Sequence, residues 1–481
     1  MYATEVPSMM PPDWREQGAD FYCCHAKVLH NNAGVSTAMA RYIKANPELR
    51  SVPLEDWDVS KVEDMAGWFD GMDGDLLPDL SRWDTSNVKN MAYMFASYRG
   101  RLPNISKWNV SKVENMHGIF QDSRIKFFDI TEWDTRNVKD LSSAFRYCTF
   151  VRHLQLQKWN TSNVTTLRGI FEGCSVLETI GCEKWDVTRV RDFCCAFASC
   201  QGISELDLSK WNMKNARDTS YMFRYACKMT KLNLGNNKCE CVENMSSMFR
   251  SCHWLESLTL KFTTNIVHDM SNLFDSCYCL RTLNIDSFNT KNVQDMQKLF
   301  KNCESLLSIN VSHFNTSKVI NMESMFEDCK ELVYVDVSNF NTRRVERFTA
   351  MFRNCLNLVA VDVSNFNTSS AEDLSEMFMD CNSLASIDVS NFNTMNVANF
   401  DLMFYGCLSL VSLDLSSFVI SDGAETHRMC AHCLSLTTLK QPVMKANVTI
   451  PYTATEEDHS LIRHCELLFI DIPDVDDDSW N

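Results

Sequence analysis

The chain is predicted to be an α/β repeat solenoid in which each unit of about 26 residues supplies a short parallel strand and a short helix. Three observations lead there: an aromatic anchor returns every 25 or 26 residues, apolar columns keep step with it, and the composition is that of a folded, water-soluble chain. The anchors are Trp57, Trp83, Trp108, Trp133, Trp159, Trp185 and Trp211, then Phe262, Phe288, Phe314, Phe340, Phe366, Phe392 and Phe418. One double gap places a degenerate unit at Asn237, which brings the array to about 15 units.

Each element of the unit follows from its columns. Five residues after the anchor stand Val62, Val88, Val113 and Val138, and later Val293, Val319 and Val345. Eight after it come Met65, Met91, Met116, Met245 and Met270, and twelve after it Phe69, Phe95, Phe120 and Phe145, a column that fails only at Cys430. Fifteen after it runs a cysteine column from Cys148 to Cys433. Apolar residues at these offsets have helical spacing, and a Thr or Ser just after the anchor, as at Thr316, reads as an N-cap. The wording Leu306-x-x-Ile309-x-Val311 then alternates like a short strand. No unit can bury its own apolar face, so neighbours must stack. Strands about 4.8 Å apart would form a continuous parallel sheet on the order of 70 Å long.

Residues 1–50 read as an N-terminal helical cap containing the amphipathic stretch Ser36–Ile43, residues 51–440 as the solenoid, and residues 441–481 as a C-terminal cap with an acidic tail. A net charge of −16 lacks the basic stripe that non-specific nucleic-acid binding needs. There is no apolar run long enough to cross a bilayer and no basic-then-apolar signal at the N-terminus. The expectation is an intracellular, cytoplasmic monomer that neither inserts in a membrane nor binds nucleic acid.

The unit L-x-x-I-D-V-S-x-F-N-T-x-x-V-x-x-M-x-x-M-F-x-x-C, with the core Met325-Phe326-Glu327-Asp328-Cys329-Lys330-Glu331-Leu332, resembles the repeat of the BspA-like leucine-rich-repeat surface proteins, and most closely the variant of mycoplasmal lipoproteins. The resemblance spans roughly residues 50–440. It implies a leucine-rich-repeat-like solenoid and a role in adhesion or protein binding, with no catalytic residues to carry over. It also implies surface display, against which stands the N-terminus read without a secretion signal.

Several constellations bear on chemistry. The cysteine column falls where the coil faces its core. Stacked thiols about 5 Å apart leave disulfides open by distance, while an intracellular setting favours buried free thiols. His427, Cys430, His432 and Cys433, and separately Cys23-Cys24-His25, gather possible ligands without the paired spacing of a structural zinc site. No metal or cofactor is therefore expected. Asp336, Asp362, Asp388 and Asp414 occupy equivalent strand positions and should point outward, beside the single large residue Tyr334. These five are the candidate binding residues, as a stripe for basic side chains or cations, or as solvated turn formers. A second Asp/Asn column, from Asp64 to Asn321, reads as structural. With no phosphate loop, nucleophile elbow or metalloprotease motif, the chain is read as non-enzymatic, binding a protein partner through its strand face. The alternative is a structural or self-associating assembly component.

Overall fold

The computed structural model describes residues 53–72 and 77–444, together with Ala38, Met39, Arg41 and Asn46. The coils stack as the register requires, but the segment expected to be helical is built otherwise. In the coil anchored by Trp133, Leu141, Ser143, Phe145 and Tyr147 donate their N–H groups to the carbonyls of Thr166, Arg168, Ile170 and Glu172 in the next coil, at 3.4, 2.8, 2.9 and 2.6 Å. The alternate residues Ala144, Arg146 and Cys148 donate within their own coil, to Leu141, Ser143 and Phe145. Ser143 and Tyr147 both have φ of 57°, so the segment is two successive turns with a left-handed third residue, the type II arrangement.

The reason is spacing. Core rings of successive coils lie 5.1 to 5.8 Å apart, whereas an α-helix with its side chains is about 10–12 Å across. A helix in every coil would not fit that stacking. Repeated i→i+3 turns bring apolar residues round at nearly the same offsets as a helix, which is why the pattern imitates one. A left-handed non-glycine residue costs about 1–3 kcal/mol; the inter-coil bonds and ring burial offset it. In the next coil glycines hold both slots, Gly169 and Gly173, with φ of 58° and 74°.

The N-cap expectation is corrected in the same way. Thr316 Oγ1 donates to the carbonyl of Asn341 in the next coil at 3.1 Å, and Thr85, Thr135, Thr161, Thr290, Thr342 and Thr368 do likewise to Asn109, Asn160, Asp186, Asn315, Asn367 and Asn393. This threonine column cross-links coils and caps nothing.

Strands are short, and all pair in parallel. β1 (Glu205–Asp207) pairs with β2 (Lys231–Asn233), β3 (Ser257–Thr259) with β4 (Thr282–Asn284), and β5 (Ser308–Ile309) with β6 (Tyr334–Val335). Near the end, β7 (Ser412–Asp414) pairs with β9 (Thr438–Lys440), and β8 (Val419–Ile420) with β10 (Val443–Met444). The continuous ladder lies elsewhere: single parallel bridges run coil to coil along the second Asp/Asn column, from Asp64–Asn90 to Asn399–Glu425. Its Oδ1 atoms each accept the N–H two residues on, as Asp64 does from Ala66 at 2.8 Å and Asp373 from Ser375 at 2.8 Å.

Among the described residues, bridging on the strand face begins only at His153–Thr179. Leu154 there donates its N–H to Thr179 at 2.9 Å. The equivalent slots two and three coils earlier hold Pro103 and Pro78, which have no N–H to give. Those two slots therefore cannot contribute a donor to the sheet.

The core is one continuous cluster. Phenylalanine rings stack from Phe69 and Phe95 at 5.1 Å to Phe378 and Phe404 at 5.5 Å. The Trp anchors stack alongside, as Trp159 does on Trp185 at 6.5 Å and 6°, and from Trp83 to Trp211 each anchor indole N–H reaches a carbonyl of the preceding coil, Trp159 to Ile130 at 3.1 Å. Every described cysteine carries a free thiol. The column thiols donate to the Phe carbonyl of the preceding coil, Cys174 to Phe145 at 3.0 Å and Cys433 to Phe404 at 3.1 Å. In the degenerate unit buried Asn237 takes the anchor slot, accepting from Met213 N–H at 2.9 Å and donating to Leu234 at 2.7 Å.

Of the amphipathic stretch Ser36–Ile43, Ala38, Met39 and Arg41 are described as helical, and Met39 is buried in the core. The rest of that stretch, Cys23-Cys24-His25 and the acidic tail lie outside the described residues. At the other end, the pairing of β10 carries ordered coil beyond residue 440.

Candidate interaction surface

The strand face is where the coil's exposed side chains vary from unit to unit. β1, β2 and β3 each bury their middle residue between exposed neighbours, so β1 hides Leu206 between Glu205 and Asp207. Asp336, Asp362, Asp388 and Asp414 stand one residue past the buried strand position, as expected. Their Oδ1 atoms are already engaged: Asp336 accepts the N–H and hydroxyl of Ser338 at 3.1 and 2.6 Å, and Asp362 those of Ser364 at 3.0 and 2.6 Å. Asp388 accepts from Ser390 N–H and Asp414 from Ser416. These are Asx turns that direct the chain from strand to anchor. Hydrogen bonds from Ser364 and Ser390 hold the Asp362 and Asp388 carboxyls below the usual range. Asp414, bonded first by Lys440 at 2.7 Å and then by Ser416, is lowered to about 2. Each member therefore serves the turn with Oδ1, and Asp414 gives its Oδ2 to Lys440.

Tyr334 is 54% exposed. Around it runs a feature that sequence reasoning missed: Leu307, Val333, Val359 and Val411, all about half exposed, share one column just before the strand. The signal was present, since apolar residues recur there without a packing role. In earlier coils the same column holds Arg152, Glu178, Glu256 and Arg281, and charges pair across coils, Arg152 with Glu178 at 2.6 Å and Lys231 with Glu205 at 2.7 Å. The strand face thus changes from a charged ladder to an apolar stripe edged by carboxylates.

The turn face carries polar chemistry that no motif foretold. Tyr93 Oη lies 2.5 Å from His117 Nε2, His117 Nδ1 lies 2.5 Å from Ser142 Oγ, and the Ser142 hydroxyl donates to Asp140 at 2.5 Å. Burial pushes His117 below its ordinary value, so the neutral imidazole fits, accepting from Tyr93 and donating to Ser142. Because Ser142 spends its proton on Asp140, the imidazole does not act as its base. Arg168 bridges Asp192 and Asp218 at 2.7 and 3.2 Å. Among the described residues no three His, Cys, Asp or Glu side chains could hold a metal ion. His427 pairs with Asp401 at 3.0 Å, while Cys430 and Cys433 are buried. No described helix is long and apolar enough to cross a membrane.

A family model described as "Mycoplasma protein of unknown function, DUF285" matches residues 37–154, 140–253, 225–334 and 322–441. No curated protein matches the chain. Among solved structures, the chain is similar to a leucine rich cell surface protein from Faecalibacterium prausnitzii, at 16% identity over 62% of this chain and 75% of that one, with a TM-score of 0.24. It is also similar to the functional domain of InlJ from Listeria monocytogenes, described as including a cysteine ladder, at 13% identity over 76% and 70%, with a TM-score of 0.20. A leucine-rich repeat protein from Eubacterium ventriosum gives 14% identity over 66% and 76%, with a TM-score of 0.21.

Proposed function

We propose a non-enzymatic, protein-binding role for this chain, which belongs to the family described as "Mycoplasma protein of unknown function, DUF285". The observation that carries the reading is the exposed stripe of Leu307, Val333, Tyr334, Val359 and Val411, flanked by Asp336, Asp362 and Asp388. Contiguous apolar side chains left in water on a rigid sheet are characteristic of an interface, and the carboxylates along one edge favour basic side chains on the partner. The resemblance of the repeat to BspA-like leucine-rich-repeat surface proteins supports an adhesion-like use of such a face. The decisive experiment is quantitative recovery of partners from the native host with the full chain, its Tyr334→Ala/Val359→Glu variant and a Lys291→Glu control away from the stripe. Loss of a partner with the double variant alone is expected; equal recovery by all three would refute the reading.

A further inference from the structure

On the turn face, the residues nine and ten after the anchor vary from coil to coil. In the coil of Trp159 they are Arg168 and Gly169, and in the coil of Trp211 they are Ser220 and Tyr221. Between these, the coil of Trp185 places Cys194 and Cys195 side by side. Packing therefore does not call for a thiol in either slot. The slot fifteen after the anchor differs, because there the buried sulfur is spent on a Phe carbonyl, as Cys200 is on Phe171 at 3.0 Å.

In an extended strand, adjacent side chains leave on opposite faces. Here the Phe193 carbonyl accepts the Ala196 N–H at 3.0 Å and Cys195 has φ of 59°. In that tight turn the two sulfurs lie 3.6 Å apart, in a hydrogen bond that either can donate. The backbone around them is held: Cys194 donates its N–H to Asp192 Oδ1 at 2.9 Å, and Cys195 donates to the Ser220 carbonyl at 3.1 Å. Cys194 is buried, whereas Cys195 is partly exposed. The hydrogen bond from Cys195 holds Cys194 below the ordinary thiol value, with Ser220 and the Arg168 guanidinium acting the same way, and that bond and burial push Cys195 up. The pair thus gives up one proton readily and shares the other. The column thiols, Cys174 among them, are pushed well up, chiefly by burial, and stay protonated and inert.

We propose that Cys194 and Cys195 form a reactive dithiol site, which a low-molecular-weight disulfide of the glutathione class closes reversibly into a Cys194–Cys195 disulfide. The partly exposed Cys195, as thiolate with the shared proton on Cys194, attacks one sulfur of the oxidant RSSR. A Cys195–S–S–R mixed disulfide forms and the first RS⁻ leaves. Cys194 then yields its proton and attacks Cys195 Sγ, forming the bond between the two side chains and expelling the second RS⁻. The protein's thiols lose two electrons and two protons, and the oxidant, having gained both, departs as two thiols. Cα atoms joined by a trans peptide are about 3.8 Å apart, closer than the roughly 4.4–6.8 Å of most disulfides, so the closed form is readily reduced. The inference is independent of the strand face.

The test exposes the full reduced chain to glutathione disulfide at neutral pH. Reaction is stopped with acid, free thiols are blocked with N-ethylmaleimide, and tryptic peptides are weighed without reduction. The peptide of residues 192–210 is expected to lack two hydrogens and to carry one maleimide, on Cys200. Excess reduced glutathione, added before blocking, should restore all three of its thiols. Cys194→Ser removes the second nucleophile and should leave one glutathione fixed on Cys195. Serine stands in the same slot as Ser220 and Ser246, so thermal melting of this variant should match the parent and exclude misfolding. The proposal would be overturned by a parent peptide that keeps all its hydrogens, by a bond to Cys200, or by a stable glutathione adduct on the parent. A bond that survives excess reduced glutathione, or a Cys194→Ser chain that takes up none, would overturn it as well.

Discussion

The Trp-anchored coils and the Phe-anchored coils fill the same slot in the same stack, yet they stitch neighbouring coils together differently. From Trp83 to Trp211 the indole N–H reaches back to the preceding coil, as in Trp108 to Leu80 at 2.9 Å. A phenyl ring has no such donor. In four of the Phe-anchored coils the threonine adds a second bond: Thr290 Oγ1 donates to the Asn315 carbonyl at 3.0 Å and accepts the Asn315 N–H at 2.7 Å, and Thr264, Thr342 and Thr394 show the same reciprocal pair, while Thr316 and Thr368 only donate. Thr135, in a Trp-anchored coil, donates to Asn160 at 3.0 Å. The comparison teaches that the anchor slot fixes the stacking and leaves open which side chain bonds neighbouring coils together.

The ring column is common to both halves, so breaking it should separate them. Phe249→Ala removes a fully buried ring stacked between Phe223 and Phe274, each at 5.6 Å, and should cost about 3–5 kcal/mol. Since each coil contacts chiefly its neighbours, urea unfolding should then resolve into two transitions. Tryptophan fluorescence, dominated by the anchors up to Trp211, would report one and far-UV circular dichroism both. A single coincident transition would show the halves to be coupled by more than the column. Next in size, Thr290→Val strands a buried donor and acceptor and should cost about 2–3 kcal/mol, against about 1 kcal/mol for Thr135→Val. Equal losses in denaturant titrations would erase the distinction drawn above.

A third prediction concerns pH. The slot fifteen after the anchor holds Met72, Tyr98 and Ser123 in the first coils and becomes a thiol column from Cys148 onward, interrupted at Ala226. Burial pushes Cys148 up to about 12 and Cys174, Cys252 and Cys303 well above their ordinary value. A thiol that keeps its proton when folded but titrates near 8.5 when unfolded contributes stability that is complete below about pH 8.5 and declines as pH rises toward 12. Limited proteolysis at pH 10 should therefore cut the thiol-bearing coils before the first three; cleavage that begins in the first three would contradict it. The smallest effect is expected from Asp362→Asn, within about 0.5 kcal/mol, because the amide oxygen still accepts the Ser364 N–H. A larger loss in thermal melting would mean that the charge itself holds the turn.

The stacking, the register and the core columns were legible because a repeat displays its buried positions as recurring letters. The helix was misread because Met65, Trp68, Phe69 and Met72 have the spacing that consecutive turns share with a helix, and periodicity alone does not say whether an N–H points along its own chain or to the next coil. Tyr334 and the four aspartates were placed on the outer face correctly. Their apolar neighbours Leu307, Val333, Val359 and Val411 were not legible as a surface, because a recurring apolar letter in a repeat has the look of a core position whether or not its side chain is covered. The Tyr93–His117–Ser142–Asp140 chain joins three coils with different residues at each step, so no motif announces it.

The type II turns have one more consequence. From coil to coil the N–H groups at Leu141, Ser143, Phe145 and Tyr147, and most of their equivalents, point to the carbonyls of the following coil, while few backbone bonds of that segment point back. Peptide dipoles of about 3.5 D aligned this way add along the axis. The turn side of the molecule is then electrically polar from end to end, with amide hydrogens directed at its C-terminal limit and carbonyl oxygens at its N-terminal one, the reverse of an α-helix.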